Sequence, residues 1–300
     1  MPPLVAGAPV SFGVFELTPE GAEVISPDSM AAVLQETGYG GIDLGPVGYL
    51  GRGEELRGRL RTHGLALAGG WIDLPFSDDR AFEDSLGRLH DALDVMIDGS
   101  LPEAALAPRP TLADSGDERR RARPGGAPEL RLSAARWDVL ERNLARTVEL
   151  VRGRGLEPTF HHHACTYVET PDEIDELLAR TDIGLTFDTG HLLLGGGDPL
   201  EAWRRWAPRI DHLHLKDVRV ERMHEIVATG GGMLEVWSGG VFVPLGQGDL
   251  EIPALMTAVA ESGYSGWIVI EQDVMPGPDH GADQFTRDHA VNRDVLRTWF

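Results

Sequence analysis

The sequence is short of three things: it has one cysteine, Cys165, one lysine, Lys216, and no long uncharged apolar run. A lone cysteine excludes an internal disulfide and fits a reducing compartment. No stretch reaches the roughly 18–20 apolar residues that span a bilayer. The opening MPPLVAGAPVSFGVF lacks the basic start of a secretory signal, so the expectation is a cytoplasmic protein with no membrane partner. Positive charge is scarce as well: 27 Lys and Arg against 48 Asp and Glu leave a net −21 over 300 residues. Such acidity repels phosphate backbones, so no nucleic-acid partner is expected.

The missing lysines point at the one that is present. Of 27 cations, 26 are Arg. A coding preference accounts for the arginines, but Lys is a compact, strongly hydrated point charge whose pKa moves readily, so the two are not interchangeable. Lys216 is therefore a candidate functional residue, set against the plainer reading of one chance lysine on a solvated surface.

With 42% hydrophobic and 25% charged residues, the composition is that of a folded globular chain. Short apolar runs predict strands at Val5–Phe12, Gly41–Leu44, Leu65–Trp71, near Thr111–Asp114, and at Leu156–His162, Ile183–Phe187, Ile210–Lys216 and Gly266–Glu271. Helical patterns follow them at Pro27–Thr37, Glu54–His63, Arg80–Met96, Ser133–Arg152, from Thr170-Pro171 onward, and at Pro199–Trp206, Ile252–Ser262 and Gln284–Trp299. Eight strand–helix units in 300 residues suit a (β/α)8 TIM barrel, an α/β fold, as a single domain over 1–300. Irregular insertions are expected at about 100–132, with a basic run at Arg119–Arg123, and at 218–248. The alternative, an open doubly wound sheet, is weakened because no G-x-G-x-x-G follows the first strand.

Active sites of such barrels lie at the carboxyl ends of the strands. Four successive ends here carry metal-capable groups: His161-His162-His163, Asp188-Thr189-Gly190-His191, His212-Leu213-His214-Leu215-Lys216 and Glu271-Gln272-Asp273. Side chains alternate faces along a strand. If Phe160, Leu185, Phe187, Leu213, Leu215, Ile268 and Ile270 face the helices, then His161, Asp188, His214 and Glu271 face the axis, one from each end. Two imidazoles and two carboxylates suit Mn²⁺, Co²⁺, Fe²⁺ or Zn²⁺. Glu157 has the same parity as His161 but should lie about 13 Å deeper at roughly 3.3 Å per residue, which leaves it as a competing first ligand. Singly, each motif reads as a solvated turn or a helix cap; four at neighbouring strand ends make a set.

The segments APVSFGVFE (8–16), GYGGIDLGPVGYLG (38–51), HHHACTYVETPDEID (161–175), DTGHLLLGGGDP (188–199), DHLHLKDVR (211–219), VPLGQGDLE (243–251) and GYSGWIVIEQD (263–273) span most of the chain. Through them it resembles the xylose-isomerase-like TIM-barrel sugar isomerase/epimerase superfamily, and within it most closely the inosose dehydratases. The resemblance implies a divalent metal, with Mn²⁺ expected and Co²⁺, Fe²⁺, Mg²⁺ or Zn²⁺ as alternatives. It puts the family's Glu, Asp, His, Glu ligands at His161, Asp188, His214 and Glu271, a departure at the first. Phe12 and Asp43 stand where that branch tends to have Trp and Glu.

The expected reaction is proton abstraction beside the carbonyl of a polyhydroxy ketone, as in a dehydratase acting on 2-keto-myo-inositol. His163 is the candidate base, and Lys216 or His191 the candidate proton donor. Phe12, Asp43, Trp71 and Arg219 are candidate substrate contacts. The alternatives are a ketose isomerase or 3-epimerase and, further off, an abasic-site endonuclease. A homo-oligomer is left open.

Overall fold

The computed structural model describes residues 3–18, 23–275 and 282–300. Among these, nine strands form one all-parallel sheet: β1 Leu4–Gly7, β2 Gly41–Ile42, β3 Ala66–Leu67, β4 Gly69–Leu74, β5 Arg109–Asp114, β6 Thr159–His161, β7 Gly184–Asp188, β8 Ile210–Leu215 and, after a small pair, β11 Trp267–Ile270. That pair, β9 Asp217–Val218 and β10 Phe242–Val243, is antiparallel. The large sheet runs β3-β2-β1-β11-β8-β7-β6-β5-β4. Its two ends meet at Ala68, whose N–H donates to the Ile42 carbonyl (2.9 Å) and whose carbonyl accepts from Arg109 (3.0 Å). β3 and β4 are thus two halves of one strand, and the sheet closes into the expected eight-unit TIM barrel.

Local chemistry sets the helix starts. Ser26 Oγ accepts from Ser29 N ahead of Pro27–Thr37, and Asp78, Ser133 and Asp198 cap the helices that follow them. Before Pro171–Arg180, Glu173 Oε2 reaches back to the N–H of Thr170 (3.0 Å). The helix shell packs on Leu185, Phe187, Leu213, Leu215, Ile268 and Ile270, all in the main core. The barrel interior below the site is filled by Ala6, Ala8, Ala68, Trp267 and Val269. Trp267 is why position 41 is glycine: a Cβ there would meet its ring at 2.6 Å.

Both stretches expected to be irregular carry structure. Residues 100–132 contain β5, a helical turn at Glu118–Arg121 and a 3-10 turn at Pro128–Leu130. Residues 218–248 hold two helices, Val220–Ala228 and Met233–Ser238, with a small core of their own in which Met223, Ile226, Met233 and Val236 pack on Leu194 and Phe242. A further helix, Thr189–Leu194, starts directly at the end of β7. Strand β1 stops at Gly7, and Pro9–Phe12 is a 3-10 turn rather than the end of a longer strand.

The basic run Arg119–Arg123 is not simply a surface patch. Arg120 is fully buried, donating to the Thr166 carbonyl (2.5 Å) and to Glu169 (3.3 Å) and pairing with Glu173. It ties the loop after β5 to the segment that follows the His triplet. Removing one partner of a buried ion cluster leaves the others unpaired. Arg120→Met should therefore destabilise the fold by about 3–5 kcal/mol in denaturant unfolding; a change within that of an exposed substitution would show that the cluster is not holding the two loops.

Candidate metal and proton-transfer site

The expected inward residues converge. One donor atom from each of His161, Asp188, His214 and Glu271 lies within 4.8 Å of the others, and all four residues are buried. Strand register explains this: Asp188 pairs with His214 across β7 and β8, while Glu271 follows β11, whose Val269 pairs with His214. His161 Nε2 is 3.1 Å from His214 Nδ1 and 3.5 Å from Asp188 Oδ2, and His214 Nδ1 is 3.0 Å from Glu271 Oε2. His161 donates Nδ1–H to the His162 carbonyl (2.6 Å). That fixes its tautomer and leaves the Nε2 lone pair aimed at the cluster, the arrangement typical of a metal-ligating histidine. Glu157 is excluded from this group. It precedes β6, is half exposed and pairs with Arg152 at 2.8 Å.

Lys216 is the second centre of the site. Its side chain is buried, with Nζ 2.8 Å from Asp273 Oδ1, 3.0 Å from Glu271 Oε2, 3.3 Å from Asp188 Oδ2 and 3.1 Å from His191 Nε2. The motif Asp188-Thr189-Gly190-His191 is built around it. Thr189 Oγ1 bonds both the N–H (2.9 Å) and the carbonyl (2.7 Å) of Lys216. A Cβ on Gly190 would lie 2.9 Å from the lysine stem. Asp188 Oδ1 accepts from His191 N at 2.8 Å, capping the new helix. His162, on the opposite face from its neighbours, accepts the Asp188 N–H at 3.1 Å and braces that backbone.

Electrostatics follow from burial and charge. Desolvation alone would lift the carboxylates, yet the Lys216 ammonium and nearby imidazoles hold Asp188 well below its ordinary range. Burial also works to raise Glu271, but His214 and Lys216 outweigh it and keep it low. Burial pushes Asp273 up to about 6 against the pull of Lys216, and Asp43 up to about 7. Burial works to lower Lys216, but the three carboxylates raise it, so it stays an ammonium. Desolvation drives His163 and His191 well below their ordinary value, and both are neutral. Their rings lie 3.5 Å apart, and His163 donates Nδ1–H to the Ala164 carbonyl (2.7 Å), leaving Nε2 as a free base.

A cleft of about 980 Å³ opens on this centre, and His161, His163, His214, Lys216, Asp43, Trp71, Glu271 and Asp273 line it. Trp71 packs against His161 and His163 at 5.1 and 4.9 Å between ring centroids. Two expected substrate contacts lie elsewhere. Phe12 is buried in the shell, stacked on His289 at 4.5 Å, because the chain turns away after Gly7. Arg219 is exposed and donates Nε–H to the Gln247 carbonyl (3.2 Å). Asp273, Asp73, Asp114 and Ser115 line the cleft without having been singled out in the sequence; for Asp273, the spacing Glu271-x-Asp273 at a strand end was the available signal.

A model of the xylose isomerase-like TIM barrel matches residues 31–291. The chain belongs to that family. It is 31% identical over 256 residues to a rhizopine catabolism protein, MocC, of Rhizobium meliloti, covering 82% of this chain and 74% of that one. It is 29% identical over 276 residues to the inosose dehydratase of Geobacillus kaustophilus, covering 91% and 88%. Among solved structures, the IOLI protein with a bound zinc atom superposes with a TM-score of 0.69 at 14% identity, covering 99% of each chain. The family likeness supports an enzyme that processes sugars or polyols. No helix among the described residues is long and apolar enough to cross a membrane.

The donor set fits a divalent ion. The buried carboxylates Asp188, Glu271 and Asp273 outnumber the Lys216 ammonium among them, and Asp188 Oδ2 carries no hydrogen bond. His161→Gln should weaken divalent-metal binding by more than the roughly 10–100-fold seen for outer-shell changes, read by elemental analysis and metal titration. Glu157→Gln should leave metal content unchanged; a loss there would return Glu157 to the ligand set.

Proposed function

We propose that this protein is a divalent-metal-dependent lyase that removes water from a keto-inositol such as 2-keto-myo-inositol. The observation that carries the reading is one continuous row of groups beside the four-donor cluster. A neutral His163 touches His191, and His191 Nε2 touches the Lys216 ammonium. The inosose dehydratase likeness supports the substrate class, and the zinc in the IOLI structure supports a metal-loaded barrel. His161, Asp188, His214 and Glu271 would hold the ion, which would polarise the ketone as a Lewis acid. Mn²⁺ is the expected ion.

The chain's own residues then do the proton work. His163 Nε2 takes the proton from the carbon next to the carbonyl, and the C–H electron pair forms the enolate double bond. Lys216, fixed by three carboxylates, offsets the negative charge that develops on the oxygen. The β C–O bond breaks, and the departing hydroxyl leaves as water with a proton from Lys216. The proton gained by His163 balances the one given up by Lys216, and water entering the cleft restores both groups once the product has left. The remaining enol becomes the dione, so one ketone yields one dione and one water. Trp71 covers one side of the base, its ring 4.9 Å from that of His163.

The deciding test gives the purified protein 2-keto-myo-inositol with and without Mn²⁺ and follows dione formation by mass spectrometry and exchange of the α-hydrogen in deuterated water. Dione formation that is lost with a chelator is the expected result. Exchange without dehydration would make the protein an epimerase or isomerase, and nicking of abasic DNA in its place would make it a nuclease. Lys216→Arg should reduce turnover by at least about 100-fold, within the 10²–10⁴ typical of positioned proton transfer, while keeping the fold and the bound metal. Near-normal turnover would remove Lys216 from the mechanism.

A further inference from the structure

The cleft is larger than a bare six-carbon polyol requires. At about 980 Å³ it reaches the upper end of the range, roughly 300–1,000 Å³, that encloses drug-sized ligands. Its inner half is polar and holds the four-donor cluster and Lys216. Its outer half changes character, with Phe15 and Leu17 from the segment after β1 facing Met233, Leu234 and Trp237 from the helix Met233–Ser238.

These two walls are held in place. Phe15 meets Trp237 edge-on, with centroids 5.8 Å apart. A Cβ on Gly232 would sit 2.8 Å from the Arg121 carbonyl, so the insertion also rests on the loop after β5. Leu17 and Leu234 are nonetheless 52% and 54% exposed, the two most exposed large apolar side chains among the described residues. They come from different segments and line the same cleft, with Glu16, Glu118, Arg121 and Glu235 also lining it. An apolar patch rimmed by charge marks a binding surface. Hydroxyl groups of a polyol set against these apolar side chains would lose water without gaining a hydrogen bond from them.

We infer that the outer cleft is a subsite for an apolar substituent, alkyl or aryl, carried through an ether link on the keto-polyol whose ring reacts at the inner centre. This rests on the function proposed above and narrows it to an O-substituted substrate. The occupant is part of the substrate because one cleft is lined both by these apolar residues and by Lys216, His161, His214 and Glu271, so a substituent on a bound ring is delivered to them.

The test uses unreactive alcohols, so that binding is read apart from turnover. Calorimetry compares myo-inositol with its mono-O-benzyl ethers on the metal-loaded protein. At least one ether should bind about tenfold or more tightly than the parent, a gain of the size expected from enclosing one aromatic ring after ordering costs. Leu234→Asp, at an exposed position, should erase the difference between the two probes, as should Trp237→Ala. Equal binding of ether and parent overturns the subsite whether or not keto-inositols are turned over. Tighter binding of the ether without turnover of any keto-polyol leaves the subsite standing and removes the dehydratase reading. If light scattering shows that Leu234→Asp splits an oligomer of the native chain, the apolar rim is a contact between copies and the subsite is overturned.

Discussion

The constraint on which the site depends is the burial of one ammonium among three carboxylates. Lys216 lies within 3.3 Å of oxygens from Asp188, Glu271 and Asp273, with almost no solvent contact. Any of these charges left alone in the interior would cost several kcal/mol or change its protonation. Together they hold one another ionised, and their excess negative charge creates the demand for a further cation. The neutrality of His163 and His191 belongs to the same balance: burial lowers both, and the nearby ammonium lowers them further. A base that is free at neutral pH and an acid that stays charged therefore arise from one arrangement.

The backbone is shaped to seat that lysine. Thr189 pins its main chain on both sides, Gly190 clears its stem, and His191 meets its head, all within the short helix that Asp188 caps. Arg would need more room beside Gly190 and would present a planar fork in place of a point charge. Asp217, next in the chain, gathers the N–H groups of Val218, Gly246, Gly248 and Leu250 at 2.9–3.0 Å. The Gly-rich segment after β10 is thereby folded back against the end of the strand that bears Lys216.

How much of this could be read in advance depended on whether the chain was still in a strand. Parity brought His161, Asp188, His214 and Glu271 together because β6, β7, β8 and β11 run up to or next to those residues. It failed for Glu157, since β6 begins only at Thr159 and the two-residue alternation does not extend before it. Phe12 was expected at the end of a strand running from Val5, but β1 ends at Gly7, and a 3-10 turn carries the ring out to His289. Arg120 was hidden in a basic run, because composition cannot tell one buried guanidinium from the three other arginines beside it. The middle histidine of the triplet holds the Asp188 backbone, a contact between strands that no local pattern encodes.

The insertion between β9 and β10 carries the argument from chemistry to selectivity. A loop lacking a core would make a poor roof, since its apolar residues would collapse onto the barrel or onto each other. This segment instead buries Met223, Ile226, Met233 and Val236 in a separate cluster against Leu194, the last residue of the helix that starts at Asp188. The same element therefore packs behind the helix Thr189–Leu194 and presents Leu234 and Trp237 to the cleft in front. The insertion is thereby packed on the helix whose first turn contacts Lys216, so in the proposed subsite the spacing between Lys216 and the apolar side chains is set by packing, and substituent length is the quantity on which that proposal turns.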